Sequence, residues 1–413
     1  MKSDVIVLGA GMVGISAALH LQKRGRSVAL IDRRGAAEET SYGNGGIIQR
    51  EGVVPYMFPR ELGAILHYAT NRAPEAVYHL SALPTVAPWL FRHWLASTPE
   101  GKAASARALR PLVERCITEH EPLLAEAGVA ALVRRTGYLK LYRTDARLAE
   151  VIAVQEGERR EYGINAVTVD RAAIAALEPH LRDGFVGGIH MLDPISVSDP
   201  GAVGKAYADL FVRNGGRLLD GDARSLESTS PAWRVATREG WWQGREVVVA
   251  LGPWSDDILR PLGYHLPLGW KRGYHMHYRA EGNAILNRPV VDGENGFALM
   301  SMSKGIRLTT GAEFARRDAP KTPVQVERTE RLARQILPFA ERLEPEPWLG
   351  RRPCLPDMLP VIGQAGRHKG LWLSFGHHHL GFTLGPVSGR LLAEMMTNEP
   401  PFTDPAPYRA DRF

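Results

Sequence analysis

Three glycines near the start of the chain have the spacing of a site for a dinucleotide. Gly9, Gly11 and Gly14 form the pattern Gly-x-Gly-x-x-Gly directly after the apolar run 5–8. In this pattern the first glycine permits a tight turn, the second lets a pyrophosphate approach the backbone, and the third lets a helix pack closely on the strand. Asp32 follows at the distance where a carboxylate accepts both hydroxyls of an adenosine ribose. We therefore predict an adenine dinucleotide here.

The segment after this acid, residues 33–52, is rich in small and polar residues. Such a composition favours neither a helix nor a buried strand. Ser41 offers a hydroxyl, and Asn44, Gly45 and Gly46 offer polar atoms and open backbone amides to a cofactor. Taken alone, the same segment is equally typical of a solvent-exposed connection.

Two later segments point to the same ligand. The apolar run 246–251 ends at Gly252, and ligands of doubly wound sheets lie at the carboxyl ends of strands, so Ala250 and Gly252 should border the cofactor. Near the C-terminus a strand over 371–375 leads through glycines into a helix with Pro386 near its first turn. The N-terminus of that helix would stabilise negative charge at N1 and C2=O of a reduced flavin, which a nicotinamide does not need.

The remaining pattern predicts the elements that hold these residues. Helices over 12–24 and 201–214 precede strands, as in βαβ units, whereas 266–349 contains a hairpin-like pair of alternating strands and a helix over 323–340. We expect the helical stretch 55–130 to cover a second domain. The predicted fold is α/β: a Rossmann-like FAD-binding domain with an inserted α+β substrate domain built on an antiparallel sheet. We assign the FAD-binding domain to 1–55, 196–265 and 350–413, and the substrate domain mostly to 56–195 and to 266–349.

Composition limits the class of protein. At 413 residues and 44% hydrophobic content the chain is long enough for two cores. The glycine motif begins too early to leave room for a signal peptide, so we expect a cytoplasmic protein. The net charge of +6 suits an anionic substrate or an acidic membrane surface, but the absence of dense Lys/Arg blocks disfavours nucleic acid. The aromatic and basic stretch 56–94 fits either peripheral contact with the inner face of a membrane or packing on the protein's own core.

Cysteine and histidine usage gives no sign of a metal. Cys116 and Cys354 lie far apart and outside any Cys-x-x-Cys pair, as expected in a reducing compartment. His377, His378 and His379 are consecutive, and three consecutive side chains of one loop cannot all face one ion. We expect no metal site.

The order and spacing of the motifs resemble the FAD-dependent D-amino-acid dehydrogenases, within the superfamily of glycine oxidase, sarcosine oxidase and D-amino-acid oxidase. The resemblance rests on GAGMVG with Asp32, ETSYGNGG, VVVALGPWSDDIL, WKRGYH, RRPCLPDMLPVIG and GHHHLGFTLGPVSG, which extend from residue 5 to about 390.

The resemblance implies roles for residues near the C-terminus. The arginine of the RP...PD motif pairs with the substrate carboxylate, which assigns that role to Arg352, although an ion pair between Arg352 and Asp357 is the alternative. It also implies that Gly376, His377, Gly381 and Thr383 border the flavin. His378 stands where the dehydrogenases usually have a small residue. Covalent sarcosine oxidases carry their cysteine further from the aspartate than Cys354 lies, so we expect non-covalent FAD.

Tyr274 is a candidate for lining the substrate pocket, with Arg352 and His377 as the other candidate catalytic residues. The candidate cofactor-binding residues are Gly9, Gly11, Met12, Val13, Gly14, Asp32, Arg33, Ser41, Asn44, Gly45, Gly46, Ala223, Ala250, Gly252, Gly376, His377, Leu380, Gly381 and Thr383.

The resemblance implies oxidation of the Cα–N bond of a D-amino acid to an imino acid, which water hydrolyses to the 2-oxo acid and ammonia. A quinone or similar acceptor would take the electrons. An oxidase or dehydrogenase of glycine, sarcosine or cyclic amino acids is an alternative, because pocket size decides between these substrates. An RNA-associated flavoprotein is the alternative from another class.

Overall fold

Short strands rich in valine, leucine and isoleucine form an eight-stranded sheet, the nucleotide sheet, in the computed structural model, which describes residues 1–413. Its strands are β1 (Lys2–Leu8), β2 (Val28–Asp32), β10 (Arg217–Asp220), β11 (Glu227–Ser228), β12 (Trp233–Thr237), β13 (Gly240–Val249), β21 (Val361–Gln364) and β22 (Leu371–Phe375). Five of them run parallel in the order β10, β2, β1, β13, β22. This parallel arrangement confirms the Rossmann-like architecture.

Four long helices cover one face of this sheet: α1 (Met12–Gln22), α4 (Pro99–Glu126), α7 (Pro200–Arg213) and α10 (Gly381–Met396). Their apolar side chains share one buried core with β1 and β2. Helices α1 and α10 pack closely because glycines face the contact. A Cβ atom on Gly389 would lie 2.7 Å from the backbone carbon of Ser16, and one on Gly385 would lie 2.6 Å from Met12 Cγ.

An eleven-stranded sheet, the substrate sheet, forms the second layer and is mostly antiparallel. Its strands are β4 (Ala76–Tyr78), β6 (Tyr138–Tyr142), β7 (Ala166–Asp170), β8 (Gly187–Met191), β14 (Gly269–Ala280), β15 (Val290–Asp292), β16 (Phe297–Met302), β17 (Gly305–Thr309), β18 (Ala312–Phe314), β19 (Phe339–Arg342) and β20 (Trp348–Cys354). The 12-residue strand β14 pairs with four others and is the centre of this layer.

The remaining elements are shorter or peripheral. A three-stranded sheet joins β3 (Ile47–Ile48), β9 (Ile195–Val197) and β5 (Val133–Arg134). The other helices are α2 (Leu62–Ala69), α3 (Leu83–Ala96), α5 (Asp145–Tyr162), α6 (Arg171–Leu177), α8 (Ser255–Leu259) and α9 (Val324–Ile336). No helix combines the length and the apolar character needed to span a membrane.

The structure differs from the sequence prediction in three elements. Helix α4, expected over the substrate domain, packs on the nucleotide layer, where His120 hydrogen-bonds the Phe382 carbonyl and the Tyr207 hydroxyl. Helix α9 ends at Ile336 instead of Ala340, because the chain turns into β19. Strand β20 crosses the expected boundary at 349/350 and belongs to the substrate sheet, since it pairs with β14 along its whole length.

Candidate active site

A large cavity lies between the two layers. Its lining includes most of the candidate residues: Gly9, Gly11, Met12, Val13, Asp32, Arg33, Ser41, Asn44, Gly45, Ala223, Ala250, Gly252, Tyr274, Arg352, Gly376, His377 and Gly381. The loops at the carboxyl ends of β1, β2, β13 and β22 all reach it, which is the expected position for a ligand of a doubly wound sheet.

The glycine motif forms a close turn at one end of the cavity. Gly9 has φ +101°, and a Cβ atom there would lie 2.6 Å from the Ala250 carbonyl oxygen. At Gly14 a Cβ atom would lie 1.8 Å from the Gly9 carbonyl oxygen, so this glycine permits helix packing and does not itself line the cavity. The Met12 amide, at the start of α1, donates to Ser41 Oγ at 2.9 Å. Backbone amides and the positive end of α1 therefore face the cavity, as binding of a pyrophosphate requires.

Asp32 lies at the end of β2 and holds the turn in place. Its Oδ2 accepts from the Ala10 amide and its Oδ1 from the Arg34 amide, each at 2.8 Å. Each carboxylate oxygen has a further lone pair and Asp32 lines the cavity, so the carboxylate can still accept hydrogen bonds from two hydroxyls of a ligand. Beside it, the Arg33 guanidinium lies 5.0 Å from the centre of the Trp254 ring, which also lines the cavity.

A buried arginine that the sequence analysis did not identify fixes the polar loop. Arg307 NH1 donates to the Asn44 carbonyl at 2.6 Å, and its Nε donates to His277 Nε2 at 2.9 Å. On its other side, His277 Nδ1 hydrogen-bonds Glu344 Oε1 at 2.7 Å. The loop at Asn44 is thus anchored to the substrate sheet, and only the pairing of β14 with β17 brings these residues together.

Arg352 lies at the other end of the cavity. Its guanidinium donates to the Gly311 carbonyl at 2.8 Å and to the Thr310 carbonyl at 3.3 Å, and it passes over Gly273, where a Cβ atom would lie 2.5 Å from NH2. The alternative ion pair with Asp357 does not form, because Asp357 binds Arg412 at 2.7 Å. Burial lowers the pKa of Arg352. Arg352 is a cation in the cavity that lacks a protein carboxylate.

Tyr274 is among the residues that line the cavity, and its hydroxyl is hydrogen-bonded within the protein. It donates to Glu313 at 3.1 Å and accepts from the Thr322 amide at 2.9 Å and from Arg272 NH2 at 3.1 Å. Successive residues of a strand point to opposite faces, so Tyr274 points away from the face where Arg352 covers Gly273.

The three consecutive histidines close the cavity next to α10. His377 Nε2 lies 3.0 Å from Ser388 Oγ of α10, and burial lowers the pKa of His377 to about 3. Its imidazole is therefore neutral at physiological pH. His378 has φ +42°, and its Nδ1 lies 3.3 Å from His379 Nδ1. Both of these side chains line the cavity.

Three other candidates lie outside the lining. Gly46, with φ +72°, packs against the Val197 carbonyl, and Leu380 is buried in the core. Thr383 Oγ1 accepts from the Gln49 amide at 3.2 Å and donates to the Ile47 carbonyl at 3.3 Å, so it links α10 to the polar loop. None of the three lines the cavity, and each packs or hydrogen-bonds behind it.

The residues present fit FAD. Gly9 permits a close turn against the Ala250 backbone, Gly11 and Asp32 line the cavity, and α10 begins at Gly381 with its first two residues in the lining. The chain has no group of three or more His, Cys, Asp or Glu side chains placed to hold a metal ion.

Comparison with known proteins agrees with this fit. The family model described as FAD dependent oxidoreductase (DAO) matches residues 4–395. A D-amino-acid oxidase of Bradyrhizobium diazoefficiens is 27% identical over 99% of this chain and 98% of its own. A D-amino acid dehydrogenase of Paramagnetospirillum magneticum is 30% identical over 99% of this chain and 98% of its own. The crystal structure of glycine oxidase from Geobacillus kaustophilus superposes with a TM-score of 0.74, at 21% identity and with 100% and 99% of the two chains covered. The chain therefore belongs to the DAO family of FAD-dependent oxidoreductases, flavoenzymes that act on the CH–NH2 or CH–NH groups of amino acids.

Proposed function

We propose that this enzyme oxidises the Cα–N bond of a D-amino acid and passes the electrons to a quinone or similar acceptor. The observation that carries the proposal is Arg352, a cavity-lining guanidinium with no protein carboxylate beside it. An anion would balance this half-buried cation, and the α-carboxylate of an amino acid supplies one.

The cofactor would be held by the turn at Gly9 and Gly11, by Asp32 and by the N-terminus of α10. FAD supplies the acceptor for the hydride that leaves Cα. We infer non-covalent binding, because the Cys354 thiol is buried, lies outside the cavity lining and is directed at the Arg352 carbonyl at 3.4 Å.

Arg352 would orient the substrate. Its carbonyl contacts fix the guanidinium plane, and the remaining N–H groups can make two parallel charge-assisted bonds to a carboxylate. A fixed carboxylate leaves Cα little freedom, and such positioning lowers the barrier without a dedicated base. The amino group must be neutral, so that its lone pair forms the C=N bond as the hydride departs. Water then adds to the imino acid and releases ammonia and the 2-oxo acid.

Substrate configuration and size are supported only by the relatives. Two of them are named for D-amino acids, and a solved neighbour is named for glycine. Glycine, sarcosine and cyclic amino acids are therefore the second candidate substrates of the same site.

A membrane contact would bring the enzyme to its quinone. Large apolar side chains are exposed along residues 56–95, namely Tyr56, Leu62, Leu66, Leu80, Phe91 and Leu95. Exposed Arg60, Arg72 and Arg92 accompany them. Helix α3 buries Trp89 and His93 towards the protein and turns Phe91 and Leu95 outwards. Apolar rings beside arginines suit the surface of an anionic bilayer.

The experiment that tests the proposal is turnover with a panel of D-amino acids, L-amino acids, glycine, sarcosine and D-proline, using an artificial quinone. We expect D-amino acids to give a 2-oxo acid and ammonia in equal amounts. Faster turnover of glycine or sarcosine than of every D-amino acid would move the assignment to the second candidates.

A further inference from the structure

A second cation lies beside Arg352 on the same face of the substrate sheet, next to the cavity lining but not part of it. Lys271 of β14 is directly opposite Arg352 of β20 in the antiparallel register, and both side chains are half-buried. Residues opposite each other on neighbouring antiparallel strands project to the same face of the sheet. Like charges in this arrangement destabilise the pair unless something neutralises them.

The protein provides no such neutralisation. Arg352 is bonded to two carbonyls, and Lys271 Nζ lies 5.5 Å from the centre of the Trp89 ring. Burial lowers the pKa of Lys271, and Arg352 lowers it further; only the thiol of Cys354 opposes these effects. No carboxylate is among the groups that perturb either cation.

The neighbouring Arg272 shows what this fold does with a structural cation. Arg272 projects to the opposite face of β14 and is fully buried, and its Nε lies 2.7 Å from Glu313 Oε2. Its other N–H groups donate to the carbonyls of Arg316, Ala319 and Pro320. The unpaired state of Lys271 and Arg352 is therefore a property of the cavity side of this strand.

The other titratable groups near the two cations are neutral. Burial lowers the pKa of His379 to about 3, with Arg352 and Lys271 adding to the effect, and it lowers the pKa of His378 well below its usual value. Burial, followed by Lys271, lowers the pKa of His93 on α3 to about 4. His378 Nε2 has no hydrogen-bond partner in the protein. The surroundings of Arg352 thus contain a second positive charge, on Lys271, and neutral imidazoles.

We propose that Lys271 binds a second anionic group of the substrate, so that the enzyme prefers acidic amino acids with two carboxylates. The inference rests on the proposed function, in which Arg352 binds the α-carboxylate. One carboxylate balances one charge and leaves the second buried cation unpaired, whereas a dicarboxylate balances both. The compact ammonium of lysine suits the end of a side chain, and the planar fork of arginine suits the carboxylate that must be oriented.

The test compares D-glutamate with D-glutamine, which has nearly the same shape without the second charge. In the holoenzyme we expect kcat/KM for D-glutamate to exceed that for D-glutamine at least tenfold. Lys271→Met, which keeps the length of the side chain, should lower this ratio by tenfold or more. Lys369→Met, at an exposed position remote from the cavity, should leave the ratio unchanged.

Binding of glutarate and of its monoamide, followed by the flavin spectrum, tests the charge pair without any oxidation. We expect tighter binding of glutarate in the wild type and loss of that preference in Lys271→Met. Equal binding of the two ligands, or an equal loss for both in the variant, would overturn the inference and make Lys271 a partner of the first carboxylate. If glutarate shows the preference but no amino acid is oxidised, the proposed function fails and the dianion site stands.

Discussion

Arg352 is the residue whose position most restricts the chemistry. No protein carboxylate forms an ion pair with Arg352. Its guanidinium lines the cavity, and hydrogen bonds to two backbone carbonyls fix the plane of the group. The alternative role as a partner of Asp357 is excluded, since Arg412 occupies that carboxylate. The arrangement leaves the guanidinium for a ligand.

Replacing Arg352 by lysine keeps the positive charge but removes the planar guanidinium, whose parallel N–H groups can bind both oxygens of a carboxylate. We expect KM for amino acids to rise while bound flavin stays unchanged, with a loss of about 2 kcal/mol, or roughly 30-fold in kcat/KM. Arg367→Lys, at an exposed arginine, is the matched control. Steady-state kinetics with unchanged constants in Arg352→Lys would show that this arginine does not hold the carboxylate.

At the residue scale, backbone motifs could be predicted and side-chain orientation could not. The roles of Gly9 and Asp32 follow from local spacing, because a turn between strand and helix is formed by adjacent residues. Tyr274 lines the cavity, but the partners of its hydroxyl, Glu313 and Thr322, could not be predicted because they are distant in sequence. Arg307 and Lys271 gave no signal, because their partners come from strands distant in sequence.

At the scale of elements, the contact between α1 and α10 joins the two ends of the chain. Both helices begin at the cavity: Gly11, Met12 and Val13 line it at the start of α1, and Gly381 and Phe382 line it at the start of α10. Their separation is set by the glycines at which they meet. Any shift of one helix therefore moves both N-termini relative to each other.

Gly389→Ala tests this contact. The added methyl would lie 2.7 Å from backbone atoms of α1, so we expect a loss of about 1–3 kcal/mol in the free energy of unfolding and weaker FAD retention. Gly157→Ala is the control, because Gly157 lies inside α5 with nothing within 4 Å. There alanine should stabilise slightly. Urea denaturation and flavin release measure both effects, and equal behaviour of the two variants would contradict the account.

Most helices and strands could be predicted from the sequence, but the layer to which each one belongs could not. Apolar runs and glycine-proline punctuation located β1, α1, β22 and α10. The amphipathic pattern of α4 predicts a buried face but not the surface that it covers. Which sheet takes β20 is likewise decided by pairing with β14, eighty residues or so earlier in the chain, which local sequence does not encode.

At the scale of the whole molecule, buried neutral histidines make stability depend on pH. Burial lowers the pKa of six of them to about 3 or 4: His20, His93, His120, His277, His377 and His379. Their unfolded pKa is about 6.5, so each contributes stability that is fully present above pH 6.5 and is lost as pH falls towards the folded value, at about 1.4 kcal/mol per pH unit. Burial raises the pKa of Glu51 to about 7 and of Glu178 to about 6. These carboxyls stabilise the folded state as pH falls, but they are fewer than the histidines.

We therefore expect the urea midpoint to fall between pH 6.5 and pH 4.5. His20→Gln should make the decline shallower, whereas His265→Gln, at an exposed position, should not alter it. A midpoint that is constant or rises on acidification would show that the buried carboxyls dominate.

The exposed apolar stretch 56–95 leads to a prediction about the electron acceptor. We expect turnover with an artificial quinone to exceed turnover with oxygen at least about tenfold, a barrier difference of ~1.4 kcal/mol. We also expect sedimentation with anionic liposomes at low salt, reduced in Phe91→Ser and not in Val154→Ser, which alters an exposed valine of α5. Hydrogen peroxide formed as fast as quinone is reduced would identify an oxidase, and failure to sediment would remove the membrane contact.

The central claim is that a D-amino acid, held by Arg352, reduces the bound FAD. Anaerobic mixing of the purified holoenzyme with D- and L-enantiomers of the same amino acids tests it most directly, since the flavin absorbance reports the half-reaction without any acceptor. The account predicts bleaching by D-enantiomers in the wild type, with strongly weakened substrate saturation in Arg352→Lys. Bleaching by L-enantiomers alone, or equal bleaching of wild type and variant, would contradict it.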